Sequence, residues 1–293
     1  MKLGDLARLL LLAAIWGASF LFIRVAAPVL GSSTLMGGRV ALAALFLWLV
    51  ARAFKKAALQ KADIPHYVLL GVVNSALPFM LYAYAAHWLT ASVLAVLNAT
   101  APIWGLLVGH FAFKEPVSQR GLIGLILGIT GVAILVGFDG VLLQDGALLA
   151  VAAGALAAAC YGLASHYTKR SRPRGAFENA HGSMWAATLC LLPLGIWQMP
   201  SALPSTPVWG SLIALGIACT GIAYLLYFRL VSDLGPTKSL TVTFLIPLFG
   251  IFWGHVFLGE TIGWYTLVGS AMVLGGTALV TGFSIRAFIT KTK

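Results

Sequence analysis

The sequence is short of charge, and acidic residues are the scarcest of all. Only 9% of the 293 residues are charged, and Asp and Glu together number 8. A soluble domain usually carries about 25% charged residues. Hydrophobic residues make up 60% of the chain, so a water-soluble fold would have too few polar side chains to cover its core. This composition excludes an ordinary soluble domain and favours an integral membrane protein.

None of the acidic residues falls near the middle of a predicted helix. They lie in loops and at helix ends: Asp5, Asp63, Glu115, Asp139, Asp145, Glu178, Asp233 and Glu260. The chain therefore lacks paired carboxylates for Mg²⁺-diphosphate chemistry, a mid-membrane anion for a drug cation, and a carboxylate proton relay. It also lacks a Gly-x-Ser-x-Gly nucleophile motif. We expect no enzymatic activity, no catalytic residue, no metal and no cofactor.

Cysteine is scarce as well. Cys160, Cys190 and Cys219 lie inside predicted helices and show no metal-ligand spacing. We interpret them as small packing residues.

The chain is rich in long apolar runs. Ten of them approach the roughly 20 residues that cross a bilayer. The predicted spans are 7–26, 34–51, 66–86, 91–112, 119–137, 147–167, 178–198, 208–229, 237–258 and 263–284. The first run is too long for the apolar part of an ordinary signal peptide, and we interpret it as a retained helix. The sequence thus predicts an all-α integral membrane protein with ten transmembrane helices.

The basic residues are distributed unevenly between the predicted loops. With the N-terminus inside the cell, 17 of the 19 Lys and Arg residues fall in inside segments. Arg24 and Arg39 are the two outside. This bias predicts that both termini are cytoplasmic. The run KRSRPR (169–174) is then a topology signal, which could also contact anionic lipid of the bilayer, and we expect no nucleic-acid partner.

The sequence repeats itself with a shift of 145 residues. APIWGLLVGHFAFKE (101–115) and IPLFGIFWGHVFLGE (246–260) carry Pro, Gly, Gly-His and Glu at equal spacing. The same ungapped shift covers all five predicted helices of each half. It predicts two repeats, 1–141 and 142–293. Because five helices is an odd number, the second repeat would be inverted in the membrane, as in secondary transporters that alternate access.

Several stretches resemble the EamA branch of the drug/metabolite transporter superfamily. They are WGASFLFIRVA, GGRVALAAL, YLLYFRLVSDLGPTKSLTVTFLIP and, most specifically, LFGIFWGHVFLGETIGWYTLVGSAMVLGGTALV. The first copy departs from the pattern, with FAFKEP where the second has VFLGET. The resemblance implies a ten-helix bacterial inner-membrane exporter. Exporters of amino acids and related metabolites, aromatic ones included, are the nearest kind.

Prolines and polar residues mark the predicted centre of the bundle. Three prolines inside predicted helices are candidate hinges: Pro78, Pro102 and Pro247. Each leaves the carbonyl four residues earlier without its donor. Those carbonyls belong to residues with polar side chains: Asn74, Asn98 and Thr243. They could bind the ammonium of a zwitterion, or neighbouring Ser and Thr could satisfy them in ordinary kinks.

Aromatic residues lie near the same predicted depth. They are Trp16, Tyr82, Tyr161, Tyr224, Tyr227 and Phe244. A pocket lined by these rings would suit apolar or aromatic side chains and would offer hydroxyl donors to a carboxylate. For each residue, the alternative to a role in binding is ordinary packing between helices. Arg39, in the outer part of the second helix, is expected to extend to the membrane surface. It is still the one strong cation that could attract a carboxylate from outside.

These features predict an alternating-access exporter of small neutral or zwitterionic metabolites, with amino acids favoured. Transport would proceed by facilitated diffusion or exchange, and a monomer is compatible with the sequence. A multidrug exporter of lipophilic cations, coupled to protons, is the alternative that the missing mid-membrane acid disfavours. A sugar-nucleotide or organic-phosphate carrier would need an inward-facing cation at mid-depth, and none is predicted.

Overall fold

The structure, a computed structural model, describes residues 3–56, 59–138, 145–201, 203–239 and 241–283. These residues form helices and no strand. The helices are α1 (Leu3–Leu30), α2 (Ser32–Ala53), α3 (Lys61–Ala85), α4 (Ala91–Phe113), α5 (Gln119–Phe138), α6 (Ala147–Arg170), α7 (Ala176–Trp197), α8 (Thr206–Leu234), α9 (Val242–Leu258) and α10 (Trp264–Thr281). The predicted repeat boundary between 141 and 142, Asp139 and the end of the tenth predicted span lie outside the described residues.

Eight of these helices are long and apolar enough to cross a membrane. The other two are α9, a shorter apolar helix of 17 residues, and α7, which begins with a polar turn around Glu178. The all-helical membrane architecture expected from the sequence is therefore confirmed. Ten crossings stay a prediction.

The start of α9 differs from the predicted span 237–258. A separate helical turn, Pro236–Ser239, precedes α9, which begins only at Val242. Gly235 ends α8 with a positive φ of 83°, which a glycine adopts without strain. The apolar run continues through this reversal, so hydropathy alone placed the helix start too early.

Two helices contain a widened, π-helical turn at matching positions of the two halves. In α3 this turn is Val72–Ala76, directly before Pro78, and the Leu77 amide donates to the Val72 carbonyl five residues earlier. In α8 it is Ala214–Ile222, which contains the residues that the 145-residue shift pairs with the first turn. The second turn has no proline after it. The π-helical turn therefore belongs to both copies rather than following from Pro78 alone.

The other two candidate hinges have different settings. Helix α4 is interrupted at Thr100, whose hydroxyl donates to the Leu97 carbonyl at 2.6 Å. Pro102 lies in the first turn of the second half of α4, where its missing N–H costs little. Pro247 lies inside the continuous helix α9, as predicted.

The helix contacts between the halves occur in corresponding pairs. α1 packs on α9 where α6 packs on α4, while α2 packs on α7 and α5 on α10. A Cβ on Gly17 would lie 2.9 Å from the Gly250 nitrogen, and a Cβ on Gly162 would lie 2.7 Å from the Gly105 nitrogen. The shift converts one of these glycine pairs into the other. Glycine is needed here because the helix backbones touch.

The duplicated Gly-His…Glu motif ends α4 and α9 in the same way. Lys114 and Gly259, the residues before each glutamate, have left-handed backbones with φ of 55° and 67°. The amides of Glu115 and Glu260 donate to the glycine carbonyl six residues earlier, at 3.0 and 3.2 Å. Each motif histidine approaches the carbonyl of its glutamate, at 3.1 and 2.8 Å. The left-handed residues themselves donate to the histidine carbonyl four residues earlier, Lys114 at 2.9 Å and Gly259 at 3.1 Å, which is the αL type of helix end.

The carboxylates of these two glutamates have different partners. Glu260 accepts hydrogen bonds from the amides of Ala91 and Ser92, at 2.6 and 3.0 Å, and from the Ser92 hydroxyl at 2.6 Å. It thereby caps the start of α4. Glu115 instead accepts a hydrogen bond from Arg170 at 2.6 Å. The two halves are alike in backbone at this motif and unlike in contacts.

Candidate functional site

Arg39 lies inside the helix bundle, with only 5% of its surface exposed. It is seven residues into α2, about 10 Å along the helix at 1.5 Å per residue. Its Nε donates to the Thr220 hydroxyl at 3.0 Å, and its guanidinium carbon lies 3.8 Å from the centre of the Phe79 ring. The expectation that Arg39 extends to the membrane surface is therefore wrong. The face of α2 that carries it packs inward, against α3 and α8.

The π-helical turn of α8 orients Thr220 towards this arginine. The Thr220 hydroxyl donates to the Leu215 carbonyl, five residues earlier, at 2.7 Å. Its proton is thus committed to the backbone, and its lone pairs remain to accept from Arg39. The 145-residue shift pairs Thr220 with Ser75 and Arg39 with Met184. The other half therefore has no cation at the position that corresponds to Arg39.

Arg39 has no acidic partner among the described residues. The ion pairs there involve other basic side chains: Arg8, His166, Arg170, Arg174 and Arg229. An unpaired guanidinium is expensive to bury, and the face of Phe79 offsets only part of that cost. Ionisable groups retained inside a membrane protein usually have a functional role. The site is therefore suited to an anionic group.

Two phenol rings lie near the guanidinium. Arg39 lies close enough to Tyr161 on α6 and Tyr224 on α8 to interact electrostatically with both. The rings of Tyr82 and Tyr161 are stacked, with centroids 6.3 Å apart. Two of the predicted aromatic residues, Tyr161 and Tyr224, thus lie near the same cation, and a third, Tyr82, stacks on Tyr161.

A second aromatic pair mirrors the first. The rings of Trp16 and Tyr227 have centroids 5.5 Å apart. Under the 145-residue shift, Trp16 becomes Tyr161 and Tyr227 becomes Tyr82. The two residues that meet in one pair are therefore the counterparts of the two residues that meet in the other pair.

Several buried hydroxyls on the helices of this site have no hydrogen-bond partner among the described residues. They are the hydroxyls of Ser19, Ser75 and Tyr82. Ser75 lies beside the Tyr224 phenol and Ser19 beside the Cys219 thiol, but neither contact has good hydrogen-bond geometry. Buried hydroxyls are normally satisfied, so these groups are available to a polar ligand.

Four residues of this region were not predicted from the sequence: Ser19, Ser75, Phe79 and Thr220. Arg39 was predicted at the wrong place. A signal for some of them existed in the repeat. The shift pairs Phe79 with Tyr224, and Ser75 with Thr220, so aromatic and hydroxyl positions recur in both halves. Arg39 has no such counterpart.

The remaining predicted site residues have different settings. Asn74 and Asn98 are half-buried and make no side-chain hydrogen bond to another described residue. Thr243 and Phe244 were expected in the middle of their helix, but they lie in the first turn of α9. Phe244 stacks on Phe283, just beyond the end of α10, with centroids 4.7 Å apart. The late start of α9 explains this displacement.

An apolar cavity of about 270 Å³ lies between α3, α4 and α6. It is lined by Leu69, Leu70, Val73, Phe113, Leu163, Ala164, Tyr167 and Arg170. Arg170 lies over the Phe113 ring at 3.9 Å and pairs with Glu115. The cavity is large enough, and its wall apolar enough, to hold a hydrophobic side chain.

Comparison with known proteins identifies relatives along the whole chain. The model of the EamA-like transporter family matches residues 4–137 and again residues 146–282. A probable terminal-alkyne amino-acid exporter of Streptantibioticus cattleyicolor is 26% identical, over 96% of this chain and 94% of its own. A probable amino-acid metabolite efflux pump of Salmonella typhimurium is 23% identical, over 94% of this chain and 95% of its own.

One solved crystal structure has a similar fold. It superposes with a TM-score of 0.63 at 16% identity and covers 99% of this chain and 100% of its own. At this identity the likeness concerns the fold alone.

Proposed function

The chain belongs to the EamA-like transporter family, and on that premise we propose that it is an alternating-access exporter of small metabolites. The favoured substrates are amino acids, aromatic ones included. In this proposal ten helices span the bacterial inner membrane as two inverted repeats, with both termini in the cytoplasm. One chain supplies both halves, so the site needs no second copy.

The exchange of contacts between the halves carries the proposal. Trp16 of the first half meets Tyr227 of the second at 5.5 Å, and their counterparts Tyr161 and Tyr82 meet at 6.3 Å. Two contacts that are related by exchanging the halves are what a twofold symmetry axis produces. With five helices in each half, that axis would lie in the membrane plane. Exchange of conformation between inverted halves is how such transporters alternate access.

The unequal partners of the two motif glutamates support alternation. Glu260 caps α4, whereas Glu115, its counterpart, pairs with Arg170. Matching positions with different contacts are expected when two equivalent halves adopt different conformations.

The chemistry around Arg39 supports amino acids over lipophilic cations. Phenol rings provide an apolar surface for a side chain, and a buried guanidinium repels a cationic ligand. Organic-phosphate carriers were disfavoured because no inward-facing cation was predicted. The inward position of Arg39 means that this argument no longer applies. A single cation nevertheless suits one negative charge better than a dianion. The described residues place no acidic side chain mid-helix, so facilitated diffusion or exchange is the proposed mode.

Transport by the purified protein in proteoliposomes tests this function. Labelled phenylalanine, methionine and threonine would be offered with and without a pH gradient. We expect saturable exchange without the gradient, lost in Tyr161→Ala and kept in Trp264→Ala, whose ring is 57% exposed on the bundle surface. An Asn98→Leu, Thr243→Val double variant measures the contribution of the predicted polar positions. Vesicles that carry tetraphenylphosphonium but no amino acid would point to the drug exporter instead.

A further inference from the structure

We propose that Arg39 binds the carboxylate of the transported molecule, and that the substrate class is monocarboxylates in which an α-amino group is optional. This inference rests on the proposed transport function and narrows it. It concerns which charge the site recognises. The free amino acid is then one member of a wider class that includes 2-oxo acids and N-acylated amino acids.

The charge balance of the site leads to this class. Arg39 is 95% buried, since 5% of its surface is exposed, and no described acidic side chain pairs with it. A bound monoanion makes the buried site neutral. A zwitterion leaves the net charge at +1, and buried net charge is costly. A free amine or an amino-acid ester would raise the buried charge further.

The geometry of Arg39 leaves donors for a ligand. Its Nε is used by Thr220 at 3.0 Å, while Phe79 covers one face of the guanidinium. Both contacts hold the group in place without using its two terminal nitrogens. A guanidinium edge of this kind binds a carboxylate through two parallel hydrogen bonds. The unpaired hydroxyl of Ser75 lies beside the Tyr224 phenol, which is itself near Arg39, and can supply a further donor.

The site offers no comparable partner to an ammonium group. All acidic residues except Asp139 are described, and they lie in loops or within a few residues of helix ends. Around Arg39 the polar groups are hydroxyls, phenols and a thiol. An α-amino group would therefore gain only neutral hydrogen bonds while paying its own desolvation cost. This is why we expect the amino group to be optional.

Ligand-induced thermal stabilisation of the purified full chain tests the inference without transport. The probes share one aromatic ring: phenylalanine, phenylpyruvate, N-acetylphenylalanine, phenylalanine methyl ester, phenethylamine and phenyl phosphate. Binding to the folded state raises the melting temperature. We expect phenylpyruvate and N-acetylphenylalanine to stabilise at least as strongly as phenylalanine. The ester and the amine should have no effect.

Substitutions at Arg39 locate the effect. Arg39→Gln should weaken phenylpyruvate binding by at least about 30-fold, because it removes one partner of a buried charge pair. Arg39→Lys keeps the charge but loses the planar fork, so a smaller loss is expected. Arg52→Gln, on the same helix and with Arg52 over the Trp48 ring at 5.5 Å, is the matched control and should bind normally.

The possible outcomes separate this inference from the transport function. Equal binding of phenylalanine and its methyl ester by the unsubstituted protein would overturn the carboxylate assignment, even if Arg39→Gln failed to fold. Phenylalanine exchange without any binding of phenylpyruvate or N-acetylphenylalanine would show that the amine is required, with the transporter proposal intact. Stronger binding of phenyl phosphate than of phenylpyruvate would replace monocarboxylates with phosphate esters. Carboxylate-dependent stabilisation without amino-acid transport would uphold the inference and contradict the amino-acid exporter.

Discussion

Glu260 holds the start of α4 through Ser92, which donates to its carboxylate from both the amide, at 3.0 Å, and the hydroxyl, at 2.6 Å. The glutamate lies in the turn between α9 and α10, 168 residues along the chain from Ser92. One side chain therefore joins the two halves at the end of the bundle where α9 ends. Its counterpart, Glu115, is engaged elsewhere.

Glu260→Gln should destabilise the protein. The carboxylate accepts three hydrogen bonds through both oxygens, and an amide has one acceptor oxygen and no charge to place at a helix N-terminus. We expect a loss of about 1–3 kcal/mol in stability, the cost of leaving a donor unsatisfied. Thermal unfolding measures it. Glu178→Gln, in the first turn of α7, is the control, and equal melting of the two variants would contradict the role of Glu260.

The same substitution should change the conformational balance under the alternating-access proposal. Losing the Glu260 contact weakens one end of the bundle and leaves the Glu115–Arg170 pair intact at the other. We expect a cysteine at Ala95, a buried position in the first half of α4, to react faster with an aqueous thiol reagent. The measurement requires removal of the exposed Cys190. An unchanged labelling rate would mean that this contact does not close the site.

The stability of the Glu115 contact should depend on pH. The hydrogen bond from Arg170 lowers the pKa of the Glu115 carboxyl below its ordinary value. A lowered folded-state pKa stabilises the protein above the unfolded value, near about 4.3, and that stabilisation is lost as the pH falls through the folded value. The melting temperature of Glu115→Gln should therefore lie below that of the unsubstituted protein at pH 6 and approach it below about pH 4. Parallel curves across this range would contradict the prediction, and Arg170→Gln should behave like Glu115→Gln.

Alanine at Gly17 or Gly162 should disrupt both halves to a similar extent. A Cβ at Gly17 would lie 2.7 Å from the Phe249 Cβ, and one at Gly162 would lie 2.7 Å from the Gly105 nitrogen. Forcing such backbones apart costs about 1–3 kcal/mol. Gly210→Ala is the control, because its Cβ would meet nothing within 4 Å. Thermal unfolding and exchange activity check the prediction, and tolerance at either position would show that these helices separate easily.

Thr220→Val should weaken substrate binding through Arg39. Valine keeps the shape of threonine but removes the acceptor that holds Nε at 3.0 Å. We expect KM to rise about 10-fold with kcat little changed, in line with one hydrogen bond to a charged group. Thr220→Ser should restore the affinity. Ser211→Ala, on the same helix but with its hydroxyl donating to the Pro207 carbonyl at 2.8 Å, is the control and should leave KM unchanged. A fall in kcat at constant KM would indicate a structural role instead.

The repeat and most helices could be predicted because they depend on the local sequence. Apolar runs determine which segments enter the membrane, and the Gly-His…Glu motif ends both α4 and α9. The error at Thr243 and Phe244 arose because apolar residues continue through the turn before α9. The contact of Phe244 with Phe283 depends on where two distant helices end, which hydropathy does not report.

By itself, the sequence determined the membrane setting, the positions of nearly all helices and the duplication, since composition and the 145-residue shift are properties of the chain alone. Only the tertiary structure decided that Arg39 points inward, onto Phe79 and Thr220. An apolar helix such as α2 has similar residues on every face, so its rotation is set by the helices that pack around it. For the same reason, two glutamates with the same local motif acquired different partners. The helix-ending motif was thus local to the sequence, and its side-chain contacts depended on how the two halves pack.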